Sequence, residues 1–163
     1  MKQVHICSIK EFRWLLRNKQ LPLENSYALI SSSYPLDIPE LSRMGYSFEC
    51  YDDIDFDCLG RSFSFEGANK FAKAIKANDD IRTWWCVCDG GHNRSSASAC
   101  ALLRYLGDET KELAIWRDPD KSPNPLVYEM LCTALGTPVD TVDLDLRIYT
   151  NRTAIKNATK RDK

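Results

Sequence analysis

The sequence contains no apolar run that approaches the ~20 residues needed to span a bilayer. Its start, MKQVHICSIKEF, also lacks the charged region followed by an apolar segment that marks a signal peptide. The cysteines, at positions 7, 50, 58, 86, 88, 100 and 132, lack the spacing of a disulfide framework. We therefore expect a cytoplasmic protein with reduced cysteines and no membrane partner.

An excess of charge of one sign is absent as well, since the formal net charge is −1 at pH 7. This balance argues against general binding of polyanions, and no nucleic acid partner is expected. No internal repeat or low-complexity segment is present. The chain of 163 residues suits one globular domain. We assign this domain to residues 1–150 and expect the basic end, residues 151–163, to be a flexible tail.

Hydrophobic periodicity predicts strands that alternate with helices. The predicted strands cover residues 4–7, 27–33, 46–54 and 82–88, and the predicted helices cover residues 9–18, 65–77, 95–106 and 125–135. Strand 82–88 is apolar on both faces, so we expect it at the centre of the sheet. The fold class that follows is α/β, with a mainly parallel central sheet flanked by helices on both faces.

Residues 142–149, VDLDLRIY, alternate between apolar and polar side chains. This alternation favours an amphipathic edge strand. An extended arm that packs on a second subunit has the same pattern, so a homodimer stays open as an expectation.

The segment CVCDGGHNRSS, residues 86–96, joins the predicted central strand to a predicted helix. The N-terminus of that helix offers unpaired N–H groups and a partial positive charge. Gly90 and Gly91 allow successive amides to turn inward. Arg94 can present a planar guanidinium to two oxygens of a phosphate or sulfate. The segment therefore predicts an anion-binding loop.

Cys88 would lie at the floor of this loop. Helix N-termini and neighbouring cations lower the pKa of a cysteine from ~8.5 into roughly the 3.5–7.5 range, which produces a thiolate at neutral pH. A thiolate below a bound tetrahedral anion makes covalent phosphoryl transfer feasible. Ser95 follows the arginine and can donate a hydrogen bond to the thiolate, which would stabilise it as a leaving group.

The order Cys88, five residues, Arg94 and Ser95, after an apolar strand and before a helix, resembles the signature loop of cysteine-dependent protein tyrosine and dual-specificity phosphatases. The form CDGGHNRS is most similar to small prokaryotic and phage proteins predicted to be such phosphatases. Two flanking segments also match, Tyr51-Asp52-Asp53 and Pro123-Asn124-Pro125. The resemblance implies a phosphatase-like fold and a two-step hydrolysis without metal or cofactor. Cys88 attacks phosphorus, and water then releases phosphate from the cysteinyl-phosphate.

The resemblance also implies roles for further residues. The loop between the nucleophile and Arg94 would hold the phosphate oxygens through its amides, which belong to Asp89, Gly90, Gly91, His92 and Asn93. A general acid is required as well, on a loop that follows an upstream strand. The candidates precede Cys88 by 31 to 36 residues and are Asp52, Asp53, Asp55 and Asp57. Asp53 is the first choice because it lies where the predicted strand passes into the loop, and Asp52 is the second.

Two positions depart from the family's pattern. Val87 stands where the family usually has a histidine that organises the loop. Asp89 directly follows the nucleophile, where an inward carboxylate would oppose a phosphate dianion. We therefore expect Asp89 to point outward, to solvent or to a neighbouring loop residue.

Other interpretations of the loop stay open. Cys86, Cys88 and His92 are not predicted to bind a metal, because a fourth ligand is lacking and the other histidine is His5. Cys86 is expected in the core. An anion-cradling loop with a cysteine also fits a rhodanese-like sulfurtransferase, an arsenate reductase, or a module that recognises phosphate without turnover. The expected partner is a phosphorylated protein, most simply one with phosphotyrosine, or a small phosphomonoester.

Overall fold

The computed structural model describes residues 2–58 and 60–161. Within them, strands alternate with helices up to the last strand, and helices follow it. The elements are β1 (Gln3–Ser8), α1 (Ile9–Arg17), β2 (Ser26–Ser32), a 3-10 helix (Pro39–Arg43), β3 (Gly45–Cys50), α2 (Phe65–Ala77), β4 (Thr83–Cys88), α3 (Arg94–Tyr105), α4 (Glu109–Arg117), α5 (Pro125–Leu135) and α6 (Thr141–Arg161).

In this described part of the chain, the strands form one parallel sheet in the order β1-β4-β2-β3. Every residue of β4 is buried. Its position between β1 and β2 confirms the central placement that its apolar sequence predicts. Parallel strands end at the same edge of a sheet, so Cys88 lies beside Ser8 of β1 and Ser31 of β2.

Each face of the sheet is covered by its own set of helices. On one face, Phe12 and Leu16 of α1 cluster with Ile30 and Val87 of the sheet. The other face packs against α2 and α3, and α5 packs in turn on these two helices. Full burial of one such Phe or Leu side chain contributes about 1.5–3 kcal/mol. The predicted α/β fold with a parallel sheet and helices on both faces is confirmed.

The start of α5 follows from capping residues in the sequence. The side chain of Asn124 accepts a hydrogen bond from the Val127 N–H over 3.2 Å, and Pro125 occupies the first helical position. The helix ends at Gly136, whose φ of +83° lies in the left-handed region that favours glycine. The helix predicted over residues 125–135 is confirmed with these bounds, and α2 likewise has its predicted bounds.

The prediction of a strand or extended arm over residues 142–149 is wrong, because these residues belong to α6. One face of α6 buries Leu144, Arg147 and Asn151. Arg147 is held by the buried carboxylate of Glu112 in α4, a helix that the sequence did not reveal. The alternation of apolar and polar residues over 142–149 depends on local sequence alone and carries no information about Glu112, which is 35 residues away. The pattern therefore predicted a strand where the protein forms a helix.

The segment expected to be a flexible tail, from residue 151, is helical over most of its length. Asn151 is buried, and α6 continues to Arg161. Asp162 and Lys163 lie outside the described residues.

The assignment of residues 1–150 to one domain stays a prediction. Over residues 2–58 and 60–161, no helix has the length and apolar character needed to cross a membrane.

Candidate active site

Residues 88–95, called the cysteine loop below, lie at the carboxyl edge of the sheet. Cys88 is the last residue of β4, and α3 begins at Arg94. Ligands of open α/β sheets bind beyond the carboxyl ends of the strands. The N-terminus of α3 adds N–H donors and a partial positive charge at this edge. The local architecture is therefore suited to an anion.

Gly91 folds the cysteine loop onto the end of β1. Its φ is +73°, in the left-handed region that favours glycine. A Cβ atom at this position would lie 2.6 Å from the backbone nitrogen of Ser8. The Gly91 N–H donates a hydrogen bond to Sγ of Cys88 over 3.3 Å. Gly91 thus brings an amide to the thiol, whereas Gly90 is exposed and its φ is not positive.

Cys88 and Ser95 form a buried pair beneath the loop. Sγ of Cys88 and Oγ of Ser95 lie 3.0 Å apart, within hydrogen-bonding distance. Both residues are at most 2% exposed. The sulfur therefore has two polar neighbours, the Ser95 hydroxyl and the Gly91 N–H, that can donate to a thiolate.

Arg94 is anchored through the outer end of its guanidinium. Nη1 donates to the carbonyl oxygen of Tyr51 over 2.7 Å and to Oγ of Ser33 over 3.0 Å. Nη2 donates to Oδ2 of Asp89 over 2.6 Å. The guanidinium carbon also lies 5.7 Å from the centre of the Tyr51 ring. Nε is buried, and within the described residues it has no hydrogen-bond partner.

These contacts leave part of the Arg94 guanidinium without a hydrogen-bond partner among the described residues. A guanidinium carries five N–H donors, so Nε–H and one Nη2 hydrogen are free for another acceptor. That edge matches two oxygens of a phosphate. Burial lowers the pKa of Arg94, but the carboxylate of Asp89, with smaller contributions from Tyr51 and Cys88, reverses this effect and raises it. The cation is thus maintained within electrostatic reach of the thiol.

Asp89 is held by three donors and is not a freely solvated carboxylate. Oδ1 accepts from Oγ of Ser32 over 2.7 Å, and Oδ2 accepts from the Ser33 N–H over 3.0 Å and from Arg94. Asp89 was expected to point outward, to solvent or to a neighbouring loop residue, and it contacts Arg94 of the same loop and the end of β2. Burial raises the pKa of Asp89, but these hydrogen bonds outweigh burial and hold the pKa below its ordinary value.

Asp53 is the candidate acid that the fold brings to the cysteine loop. Its Oδ2 accepts from Nδ2 of Asn93 over 2.7 Å, and its Oδ1 accepts from Nδ2 of Asn124 over 2.8 Å. Asp52 instead pairs with Arg61, with 2.9 Å between Oδ2 and Nη2. The two neighbouring aspartates therefore have different surroundings.

The other two candidate acids lie on the same exposed segment. Asp55 lines a small cavity of about 260 Å³ together with Asp53 and Asn93. Asp57 is exposed, and its Oδ1 lies 3.5 Å from Oγ of Ser62. Neither makes a recorded hydrogen bond to the cysteine loop in the part of the chain that the structure describes.

His92 and Asn93 connect the cysteine loop to the segment before α5. Nδ1 of His92 lies 2.9 Å from the carbonyl oxygen of Asp120. The carbonyl oxygen of His92 accepts from the Ser122 N–H, and that of Asn93 accepts from the Asn124 N–H, each over 3.2 Å. Both residues thus have contacts that orient the loop.

Several residues at the site were not assigned a role there from the sequence. Ser33 and Tyr51 bind Arg94, and Nζ of Lys121 donates to the Gly91 carbonyl oxygen over 3.0 Å. Tyr51 and Asn124 do lie in the two flanking segments that match the phosphatase pattern. Ser33 and Lys121 gave no such signal, because their contacts span 61 and 30 residues.

The remaining thiols and histidines do not assemble a further centre. Cys86 is fully buried in the core, as expected, and all seven cysteines are free thiols. Within residues 2–58 and 60–161, no group of three or more His, Cys, Asp or Glu side chains is arranged to hold a metal ion.

The fold and the cysteine loop together define an α/β protein of phosphatase-like architecture. No protein-family model matches the sequence, and no curated protein matches it. Among solved structures, the chain is similar to PTPMT1 in a crystal structure of its complex with PI(5)P. That match has 14% sequence identity and a TM-score of 0.52, and it covers 82% of this chain and 90% of PTPMT1.

A second crystal structure of PTPMT1 matches with 16% identity and a TM-score of 0.49, over 93% of this chain and 94% of that one. At the identity of the first match, the similarity establishes a shared fold. That fold agrees with the resemblance of the cysteine loop to the cysteine-dependent phosphatase superfamily.

Proposed function

We propose that this protein hydrolyses phosphate monoesters through a cysteinyl-phosphate intermediate. The observation that carries the proposal is the buried Cys88 thiol in a loop that also contains Arg94, whose Nε–H has no partner among the described residues. Phosphoryl transfer through a cysteine needs a nucleophile and hydrogen-bond donors for the phosphate oxygens, and a guanidinium at a helix N-terminus supplies such donors. The fold shared with PTPMT1 supports the same chemistry.

The proposed reaction has two balanced steps. In the first, the Cys88 thiolate attacks phosphorus, an S–P bond forms as the ester P–O bond breaks, and the leaving oxygen takes a proton from the general acid. In the second, water attacks phosphorus and gives a proton to that same carboxylate, while the S–P bond breaks. Arg94 and the loop amides hold the non-bridging oxygens in both steps. The Ser95 hydroxyl, 3.0 Å from Sγ, stabilises the departing thiolate.

Asp53 is the proposed general acid, with Asp52 as the second candidate. The amides of Asn93 and Asn124 hold Asp53 beside the cysteine loop. Each carboxyl oxygen has a second lone pair, so these bonds are compatible with a proton on Asp53. The Asp52 carboxylate is directed to Arg61, which favours Asp53 for the transfer.

The proposed substrate is a phosphorylated protein, most simply one with phosphotyrosine, and the protein is proposed to act in the cytoplasm. Dual specificity and small phosphomonoesters are the alternatives within this proposal. The PI(5)P complex of PTPMT1 supports a phosphomonoester as the substrate class, because PI(5)P carries such a group.

Release of phosphate from p-nitrophenyl phosphate in the presence of a metal chelator tests the proposal. Cys88→Ser should lower the rate by about a thousandfold or more, as loss of a nucleophile does in other enzymes. Cys50→Ser, at an exposed cysteine, is the matched control and should retain the rate. Wild-type protein quenched in acid after reaction with labelled substrate should carry the label on Cys88. Full activity of Cys88→Ser would refute the mechanism.

A phosphate-binding module without turnover is the second candidate. The observation that favours it is the Asp89 carboxylate 2.6 Å from Nη2 of Arg94, together with Val87 in place of the family's histidine. This candidate predicts binding of phosphate or a phosphopeptide with no product after prolonged incubation. Steady turnover would eliminate it.

A further inference from the structure

A groove of about 890 Å³ lies directly beside the cysteine loop. One wall is the outer side of α1, and the other is formed by Ser32 at the end of β2 and by Tyr34 and Leu36 after it. Asp89 of the cysteine loop belongs to the lining, so the groove and the candidate active site share a boundary. The groove is called the α1 groove below.

The α1 wall is a regular stripe of cations with one aromatic residue. Lys10, Arg13, Trp14 and Arg17 occupy positions i, i+3, i+4 and i+7, which places them on one side of a helix. The opposite side of α1 carries Phe12, which is fully buried against the sheet. The stripe is therefore solvent-facing and contributes nothing to the core.

Two of these cations lack a carboxylate partner. Arg17 forms an ion pair with Glu40 over 3.3 Å. Arg13 donates to the backbone carbonyl of Asp37 over 3.0 Å and forms no direct ion pair within the described residues. Lys10 takes part in no ion pair within the described residues. The groove thus offers positive charge to an incoming ligand.

The acidic side chains of the lining do not cancel this charge. Asp89 is already paired with Arg94, so its charge is compensated within the cysteine loop. Glu11 lies in the first turn of α1, where its carboxylate offsets the unpaired N–H groups of the helix end. With Asp89 and Arg17 paired, Lys10 and Arg13 stand against the single carboxylate of Glu11, so the lining keeps a net positive charge.

Aromatic side chains stand on both walls of the α1 groove. Trp14 on α1 is 53% exposed, and Tyr34 on the facing segment is 72% exposed. Large flat side chains that remain in water beside cations are typical of surfaces that bind polypeptides. A groove walled on two sides suits an extended chain.

The segment with Tyr34 is also connected to Arg94 and Asp89 of the cysteine loop. Ser33 precedes Tyr34, and its hydroxyl accepts from Arg94 while its N–H donates to Asp89. A ligand in the groove therefore contacts the segment that holds Arg94 in place. This continuity connects the groove to the reacting phosphate.

We propose that the α1 groove binds the acidic polypeptide segment that flanks the phosphorylated residue of a protein substrate. The proposal rests on the proposed phosphatase function and names the substrate feature that this chain recognises. Lys10 and Arg13 attract the acidic side chains, and Trp14 and Tyr34 pack against the peptide.

The test compares three substrates, a phosphotyrosine peptide with acidic flanking residues, the same peptide with neutral flanks, and p-nitrophenyl phosphate. Wild-type protein should have a higher kcat/KM for the acidic peptide than for the neutral one. Lys10→Glu should lower kcat/KM for the acidic peptide about three- to tenfold at low ionic strength, and added salt should reduce this difference. Its rate on p-nitrophenyl phosphate should stay unchanged. Lys156→Glu is the matched charge reversal, on exposed surface of α6, and should change neither rate.

The results that contradict each proposal are distinct. Equal kcat/KM for the two peptides in wild-type protein, or an equal loss on p-nitrophenyl phosphate in Lys10→Glu, would overturn the groove proposal alone. A different result would be that Lys10→Glu weakens binding to vesicles that contain a phosphoinositide and leaves kcat/KM for the peptides unchanged. That result would assign the groove to a lipid surface and would overturn the groove proposal as well. Absence of turnover of p-nitrophenyl phosphate by wild-type protein would contradict the phosphatase function. Peptide binding, measured by fluorescence anisotropy, then tests the groove independently.

Discussion

Asp89 and Arg94 form an ion pair within the cysteine loop, with 2.6 Å between Oδ2 and Nη2. The same Oδ2 accepts from the Ser33 N–H, so the carboxylate is fixed to the end of β2 as well. The pair leaves Nε of Arg94 without a partner among the described residues. Asp89 thus orients the guanidinium from its outer end, while Nε–H keeps no partner among the described residues. Val87 precedes the loop in place of the family's histidine, and this carboxylate is one of the contacts that order the loop, beside those of His92 and Lys121.

Asp89→Ala should lower kcat/KM for p-nitrophenyl phosphate about tenfold or more, because hydrogen bonds to charged groups contribute about 1.5–3 kcal/mol. Asp89→Asn keeps one acceptor oxygen, so its kcat/KM should fall less than that of Asp89→Ala. Steady-state kinetics of both variants provide the measurement. A higher kcat/KM in Asp89→Ala would show instead that the carboxylate competes with phosphate for Arg94.

The pH dependence of stability should reveal the same carboxylate. Its pKa in the folded protein lies below the ordinary value of 3.8, because three donors bind it. The stabilising contribution of ionised Asp89 is therefore fully present above about pH 5 and is lost as the pH falls through the folded-state pKa. In urea unfolding, the difference between wild-type protein and Asp89→Asn should be constant from about pH 5 to pH 8 and shrink below about pH 4. A difference that grows toward acid pH would contradict this sign.

Asp53→Asn should lower kcat about a hundredfold on an alkyl phosphate, since a general acid contributes roughly 10²–10⁴-fold. The loss should be smaller on p-nitrophenyl phosphate, whose leaving group needs little protonation. Asp52→Asn is the matched control and should stay near the wild-type rate, because Asp52 pairs with Arg61. A larger loss in Asp52→Asn would assign the acid to that residue.

Gly91→Ala should destabilise the fold by two separable effects. The φ of +73° costs a non-glycine residue about 1–3 kcal/mol. In addition, the new Cβ would lie 2.6 Å from the backbone nitrogen of Ser8. Gly107→Ala isolates the first effect, since Gly107 has a φ of +75° and no heavy atom within 4 Å of the same position. Chemical unfolding of both variants should show a larger loss for Gly91→Ala, and equal losses would exclude the steric contact.

Arg147→Met tests how α6 is held on the protein. Nε of Arg147 donates to the fully buried carboxylate of Glu112 over 2.9 Å, and removal of one partner of a buried ion pair costs about 3–5 kcal/mol. Arg152→Met, at an exposed position of the same helix, should change the free energy of unfolding by less than about 0.5 kcal/mol. Denaturant unfolding compares the two. Similar values for both variants would mean that the buried pair does not anchor α6.

The alternation of strands and helices up to α3 was predictable because its determinants are local. β4 is apolar at successive positions, and Asn124 with Pro125 marks the start of α5. The C-terminal helix was not predictable in this way. Residues 142–149 satisfy the period of a strand, but contacts with distant parts of the chain, such as that of Arg147 with Glu112, 35 residues away, hold them as a helix.

The sequence by itself determined the cysteine loop, because a strand, a left-handed glycine, an arginine and a serine within a few residues specify its shape and chemistry. Tertiary structure decided which distant groups complete it. Asp53 reaches Asn93 across 40 residues and Asn124 across 71. Asp89 turns toward Arg94 because Ser32 and Ser33, 57 and 56 residues away, supply the other donors. Contacts of this kind depend on how the strands are ordered in the sheet, which local sequence patterns do not encode.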